Sequence, residues 1–232
     1  MIPLRDINPT RRVPLITVIF IAVNVLVFLY EQTLSERGLT RLFLQYGATP
    51  AHFFDGAVSV SDALTLITSM FLHGGWLHIG GNMLYLWIFG NNIEDRLGAV
   101  RFIAFYFLTG LAAGFLQIVI DPSSRSPMVG ASGAIAGVLG GYIVLFPRAR
   151  VQTLVFFFIF VQVVSVPAVL LLGWWFFLQL LNGVMSLGEY ASGGVAFFAH
   201  IGGFIAGAML ICIFTVGRRA DDWWRPPPDP WA

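Results

Sequence analysis

The sequence contains no lysine; all 13 of its basic residues are arginine. Charge of either sign is scarce, at 11% of residues, where a soluble globular chain carries about 25%. One cysteine, Cys212, excludes an internal disulfide framework. A net charge of +1 argues against a nucleic-acid partner. There is no His-Glu-x-x-His pair and no carboxylate cluster, and four histidines spread over three segments do not form a zinc set, so neither metal nor cofactor is expected. What the 232 residues do contain is apolar surface, 57% hydrophobic residues against roughly 45–50% in soluble domains, which points to the membrane.

Crossing a hydrocarbon core of about 30 Å takes about 20 mainly apolar residues. The first such span is Pro14 to Tyr30, behind Arg11 and Arg12; Tyr30-Glu31-Gln32 offers no small-residue cleavage site, so it reads as a retained anchor rather than a signal peptide. Residues 31–76 are mixed, and their one apolar run, Ala63 to Leu72, is too short to span and belongs at the interface or inside protein. Four further spans follow: Leu77 to Ile93, Ala99 to Ile120, Val129 to Phe146 and Gly194 to Val216. Between the last two, Val151 to Gly188 is 38 residues without a charge. As one helix it would measure roughly 57 Å at 1.5 Å per residue, so it must break, and Pro167 is the natural place.

Arginine placement decides what the two pieces are. With six spans and the N-terminus inside, Arg5, Arg11, Arg12, Arg96, Arg101, Arg148, Arg150, Arg218, Arg219 and Arg225 lie inside, and Arg37, Arg41 and Arg125 outside. Seven spans would move the last three inner arginines out and erase the bias, so the positive-inside rule favours six, both termini in the cytoplasm and residues 151–166 along the inner interface. The expected fold is an all-α polytopic membrane protein of six transmembrane helices. Residues 1–13 form a cytoplasmic segment, 14–216 the membrane domain, and 217–232, rich in Pro and charge, a disordered cytoplasmic tail. The expected location is a prokaryotic cell membrane.

Spans two, four and six run from outside to inside, and each carries unusual polar residues near its outer end: His78 and Asn82, Ser132, and His200. Polar groups at membrane depth are costly and mark function by default. Taken singly, each has a plainer reading. Ser132 lies in Gly130-Ala131-Ser132-Gly133 with Gly137 and Gly141 beyond, a small-residue packing stripe. His200, in Ala199-His200-Ile201-Gly202-Gly203 with Gly207 beyond, could be hydrogen-bonded between helices, and His78 and Asn82 could be interfacial. Together they supply a serine nucleophile, a histidine base and donors for an oxyanion at one level. The Ser132 backbone N–H near a helix N-terminus adds a further donor. No buried acid on these faces orients His200, which suggests a dyad. Cys212 reads as a buried packing residue, His52 as solvated, and Glu94-Asp95-Arg96 as a structural helix-end cluster.

Those segments, with His73-Gly74-Gly75-Trp76-Leu77-His78-Ile79-Gly80-Gly81-Asn82, make the chain resemble the rhomboid family of intramembrane serine proteases in motif order, spacing and placement on alternate spans. The resemblance implies a compact six-helix bundle with a membrane-associated first outer loop. It implies Ser132 as nucleophile, His200 as general base, and His78, Asn82 and the Ser132 amide as the oxyanion hole, with His73 structural in a loop dipping beside the site. The implied partners are single-pass membrane proteins, cut near their outer ends and often after small residues, and membrane lipids. Two positions depart from the family pattern. Leu64-Thr65 stands where many members carry Trp-Arg in the first outer loop, and Ala136 where many carry an aromatic that stacks on the histidine, so His200 must be oriented otherwise. The rival readings are a non-catalytic rhomboid-like protein that binds transmembrane helices and a small transporter; the chain keeps both serine and histidine, and shows no internal repeat.

Overall fold

The computed structural model describes residues 1–157, 160–186 and 195–217. Its helices are α1 Leu15–Gln32, α2 Glu36–Tyr46, α3 Val60–Thr68, α4 Trp76–Tyr85, α5 Asn91–Leu97, α6 Ala99–Ile120, α7 Ser132–Leu145, α8 Ala168–Ser186 and α9 Phe197–Phe214. Among the described residues, α1, α6, α8 and α9 are long and apolar enough to cross a membrane. The other two expected spans take a different form. Residues 76–97 run as α4, a single π-turn over Leu86–Gly90, and α5. Of Val129 to Phe146, only the 14 residues of α7 are helical, roughly 21 Å. The expected disordered tail lies, from residue 218 on, outside the described residues.

The expectation of an all-α chain is corrected by a three-stranded antiparallel sheet, β1 Ile2–Asp6, β2 Arg150–Phe157 and β3 Phe160–Pro167, in the order β1-β2-β3. The piece expected merely to lie along the interface is thus a hairpin paired with the N-terminus. Its sequence explains this: Val151, Thr153, Val155, Val161, Val163, Val164 and Val166 are β-branched and fit a pleated surface better than a helix. The sheet is tied to the bundle through Asp6, whose carboxylate accepts from Asn92 Nδ2 and from the Tyr142 hydroxyl, each at 2.7 Å. At the same end Glu94 caps α1, accepting from the Ile16 and Thr17 amides and from Thr17 Oγ1 at 2.7–2.8 Å, so this helix-end carboxylate is structural. Cys212 is exposed, correcting the buried reading: on an all-apolar α9 hydropathy does not distinguish the two faces.

The core is aromatic around α6, with Phe102, Phe105, Tyr106, Phe89 and Tyr142 fully buried. α7 and α9 meet without side chains between them. A Cβ built on Gly203 would overlap the Gly133 carbonyl, one on Gly207 the Gly137 carbonyl, and one on Gly140 the Phe204 carbonyl. The glycine stripes therefore set the separation of these two helices.

Two outcomes follow from this packing. Gly207→Ala should lower stability by about 1–3 kcal/mol or more in thermal unfolding of the detergent-solubilised protein, because the backbones must part. Gly173→Ala on α8, where an added Cβ meets nothing within 4 Å, should not destabilise it. The second outcome concerns pH. Burial raises the Asp6 carboxyl to a pKa of about 6, against the hydrogen bonds from Tyr142 and Asn92. The folded state then keeps a proton that the unfolded chain releases near pH 4, so the Asp6 contribution is greatest at low pH and falls as pH rises to about 6. The melting temperature of the wild type relative to Asp6→Asn should fall over that window and level off above it.

Candidate active site

The end of the bundle opposite the sheet is organised by loops. Glu31, buried near the end of α1, accepts from the His73 backbone N–H at 3.1 Å and so holds the loop that leads into α4. Ser69 O accepts from Gly130 N at 2.9 Å, and Ala48 and Met128 pair through their backbones, which ties the first loop to the segment entering α7. That loop lacks the Trp-Arg pair but is anchored otherwise. Ser59 and Asp62 cap α3, while Leu66 and Met70 fill the space opposite Gly114 and Gly110 of α6.

Ser132 is the first residue of α7 and His200 the fourth of α9, one turn in, because α9 begins at Phe197. The glycine contact brings them together, with His200 Nε2 2.7 Å from Ser132 Oγ. As the first residue of its helix, Ser132 has a backbone N–H without an intrahelical acceptor, at the positive end of the α7 dipole. His78, on α4, reaches the same place. Gly130 has φ +127°, and a Cβ there would lie 2.6 Å from His78 Nε2 and 3.6 Å from Ser132 Oγ, so only glycine admits the imidazole beside the serine. His78 Nδ1 is 3.4 Å from the Gly74 N–H, which it accepts; Nε2 is then the protonated nitrogen. Asn82, one turn further along α4, is buried, and its Nδ2 has no acceptor among the described residues. His73 is buried and packs edge-on against His78 at 5.1 Å between centroids.

Two contacts were missed in the sequence. Gln179 Oε1, on α8, lies 2.8 Å from His200 Nδ1, and the Trp175 ring lies 5.9 Å from that of His200. The available signal was an amide, one of two with Asn182, in the middle of a largely apolar helix. Beside the serine is a cavity of about 40 Å³, lined by small residues including Gly110, Ala113, Gly114, Gly133 and Ala199, together with Met70. Among the described residues there is no group of three side chains that could hold a metal ion.

A family model described as "Rhomboid domain" matches residues 61–217. Rhomboid protein 1, mitochondrial, of Saccharomyces cerevisiae is 37% identical over 101 residues, 42% of this chain and 29% of that protein. Rhomboid protease GluP of Bacillus subtilis is 31% identical over 127 residues, 55% of this chain and 24% of that protein. Presenilin-associated rhomboid-like protein, mitochondrial, of Homo sapiens is 32% identical over 132 residues, 56% of this chain and 32% of that protein. The matches thus cover a third or less of each of these relatives. With the domain spanning most of its length and four of its described helices long and apolar enough to cross a membrane, the chain is a multi-pass membrane protein of the rhomboid family.

Proposed function

We propose that the protein is an intramembrane serine endopeptidase that cleaves transmembrane segments near their outer ends through an acyl-enzyme. The observation that carries this reading is the 2.7 Å contact between Ser132 Oγ and His200 Nε2 at the end of two apolar helices. A hydroxyl is a weak nucleophile at neutral pH and needs a base within hydrogen-bond reach. In the proposed reaction Ser132 Oγ attacks the scissile carbonyl and its proton passes to His200 Nε2. The new oxyanion is met by the Ser132 N–H, by His78 Nε2–H and by Asn82 Nδ2. His200 then protonates the leaving amine, and water, deprotonated by His200, releases the acyl group. The small cavity beside Ser132 suits a small side chain on the acyl side of the cut. Relatives whose names include both a protease and rhomboid-like proteins are consistent with this activity and with the non-catalytic rival, a rhomboid-like protein that binds transmembrane helices.

The topology belongs to the same proposal. Six crossings, made by α1, the α4–α5 unit, α6, α7, α8 and α9, put both termini and the sheet in the cytoplasm and the Ser132–His200 pair near the outer face. The ten-to-three arginine bias supports this. We place the protein in a prokaryotic cell membrane, with single-pass membrane proteins as substrates and lipids as its solvent.

The test is labelling of the purified protein with a fluorophosphonate probe, mapped by mass spectrometry, beside cleavage of a transmembrane reporter. Ser132→Ala should abolish both, and His200→Ala should slow labelling. His78→Ala and Asn82→Ala should each fold normally and lose about 10²–10³ in kcat, the usual cost of one oxyanion donor. Equal labelling of wild type and Ser132→Ala overturns the nucleophile. Wild-type cleavage by folded His78→Ala and Asn82→Ala overturns the oxyanion role. A wild-type protein that neither labels nor cleaves favours the non-catalytic reading.

A further inference from the structure

A neutral imidazole exists as two tautomers, and only the one with its proton on Nδ1 leaves the Nε2 lone pair free for the serine proton. In this chain Nδ1 faces Gln179 Oε1 at 2.8 Å while Nε2 faces Ser132 Oγ at 2.7 Å. Gln179 sits mid-helix on α8, one turn after Trp175, so the hydrogen bond and the ring contact with His200 come from the same helix face. That face is held against α9 by aromatic packing. Trp175 lies 6.2 Å and Phe176 4.5 Å from the ring of Phe204, one turn beyond His200. Ala136 offers no ring to stack on the histidine, and among the described residues its two ring nitrogens meet Gln179 and Ser132 rather than a carboxylate.

We infer that Gln179 is a positioning residue, whose side-chain oxygen accepts the Nδ1–H of His200 and holds the imidazole in the tautomer and plane that let Nε2 take the Ser132 proton. The inference rests on the Ser132–His200 reading above and adds a third member to it, supplied by α8. An amide suits this position physically. An ionised carboxylate at membrane depth is expensive, whereas a carboxamide oxygen accepts the same hydrogen bond without a charge. The amide must present its oxygen. With its NH₂ turned to the ring it would donate to Nδ1, drive the proton to Nε2 and leave the serine facing a donor.

The experiment compares Gln179→Met, which keeps length and apolar volume but removes the acceptor, with Gln179→Glu, which removes the NH₂ group and keeps an acceptor oxygen whether ionised or protonated. Each is made in the full chain and checked by thermal unfolding. Fluorophosphonate acylation of Ser132 should slow roughly 10–100-fold in Gln179→Met, the range typical when the partner orienting a functional histidine is lost. It should recover to within a few-fold of wild type in Gln179→Glu. The ¹⁵N resonances of His200 should report a protonated Nδ1 and an unprotonated Nε2 in the wild type, and a tautomer mixture in Gln179→Met. Combined with His200→Ala, Gln179→Met should cost nothing further, because it acts through the histidine. Wild-type acylation and an unchanged tautomer in Gln179→Met overturn the inference. So does a Gln179→Glu variant as slow as Gln179→Met, since an acceptor oxygen at that place would then not serve the histidine. If Gln179→Met does not fold, Gln179→Glu decides alone by the same two readouts. Labelling that survives Ser132→Ala strikes the underlying reading instead; labelling lost in Ser132→Ala but intact in Gln179→Met strikes only Gln179.

Discussion

The rest of the site depends on how closely α7 and α9 approach. Gly133 and Gly137 present their carbonyls directly to Gly203 and Gly207, and Gly140 accepts the backbone at Phe204 in the same way. Lipid tails are as apolar as leucine, so nothing like hydrophobic burial presses these helices together; close packing of small residues does. The consequence is geometric. Ser132 opens α7 and His200 lies in the first turn of α9, so the separation of the two backbones fixes the distance between the two side chains. A methyl group in that contact would part the helices and with them the hydrogen bond between Oγ and Nε2.

Around this contact the protein avoids charge at the site and uses it elsewhere. Glu94 neutralises the open N–H groups at the start of α1, Asp95 accepts from the Arg11 and Arg12 amides, and Asp6 fastens the sheet to Asn92 and Tyr142. Glu31 pins the loop before α4. Glu94, Asp95 and Glu31 work at a helix end or a loop, where backbone donors are unpaired, while Asp6 meets two side-chain donors at the sheet. The side chains gathered about Ser132 are instead neutral groups that can be hydrogen-bonded without an ion: an imidazole, a carboxamide from α8, a second imidazole and a second carboxamide from α4. In a medium where ionised groups are costly, that is a physically economical way to place a base and several donors together.

The motifs were legible because they are local. Gly130 to Gly133 announces a tight entry to a helix, and the structure shows why: a positive φ at Gly130 makes room for His78. The i, i+4 spacing of His78 and Asn82 holds on α4, and the parity of the spans already put these residues at the same end as Ser132 and His200. The strands within residues 151–166 were not legible because hydropathy alone does not reveal a strand whose partner lies about 150 residues away in the sequence. The pairing of Ile2 with Leu154 supplies that partner.

By itself the sequence determined the membrane class, through the near absence of charge and the length of its apolar runs. It also determined the glycine stripes and the identity of the residues that could act as nucleophile, base and donors, since each follows from residue type and short-range spacing. Only the tertiary structure decided what His200 faces on its second nitrogen. Gln179 stands 21 residues before His200 on a helix with no motif of its own, and its 2.8 Å contact exists because Trp175 and Phe176 seat α8 against Phe204. Local pattern sets which groups are available; the packing of one helix on another sets which of them meet.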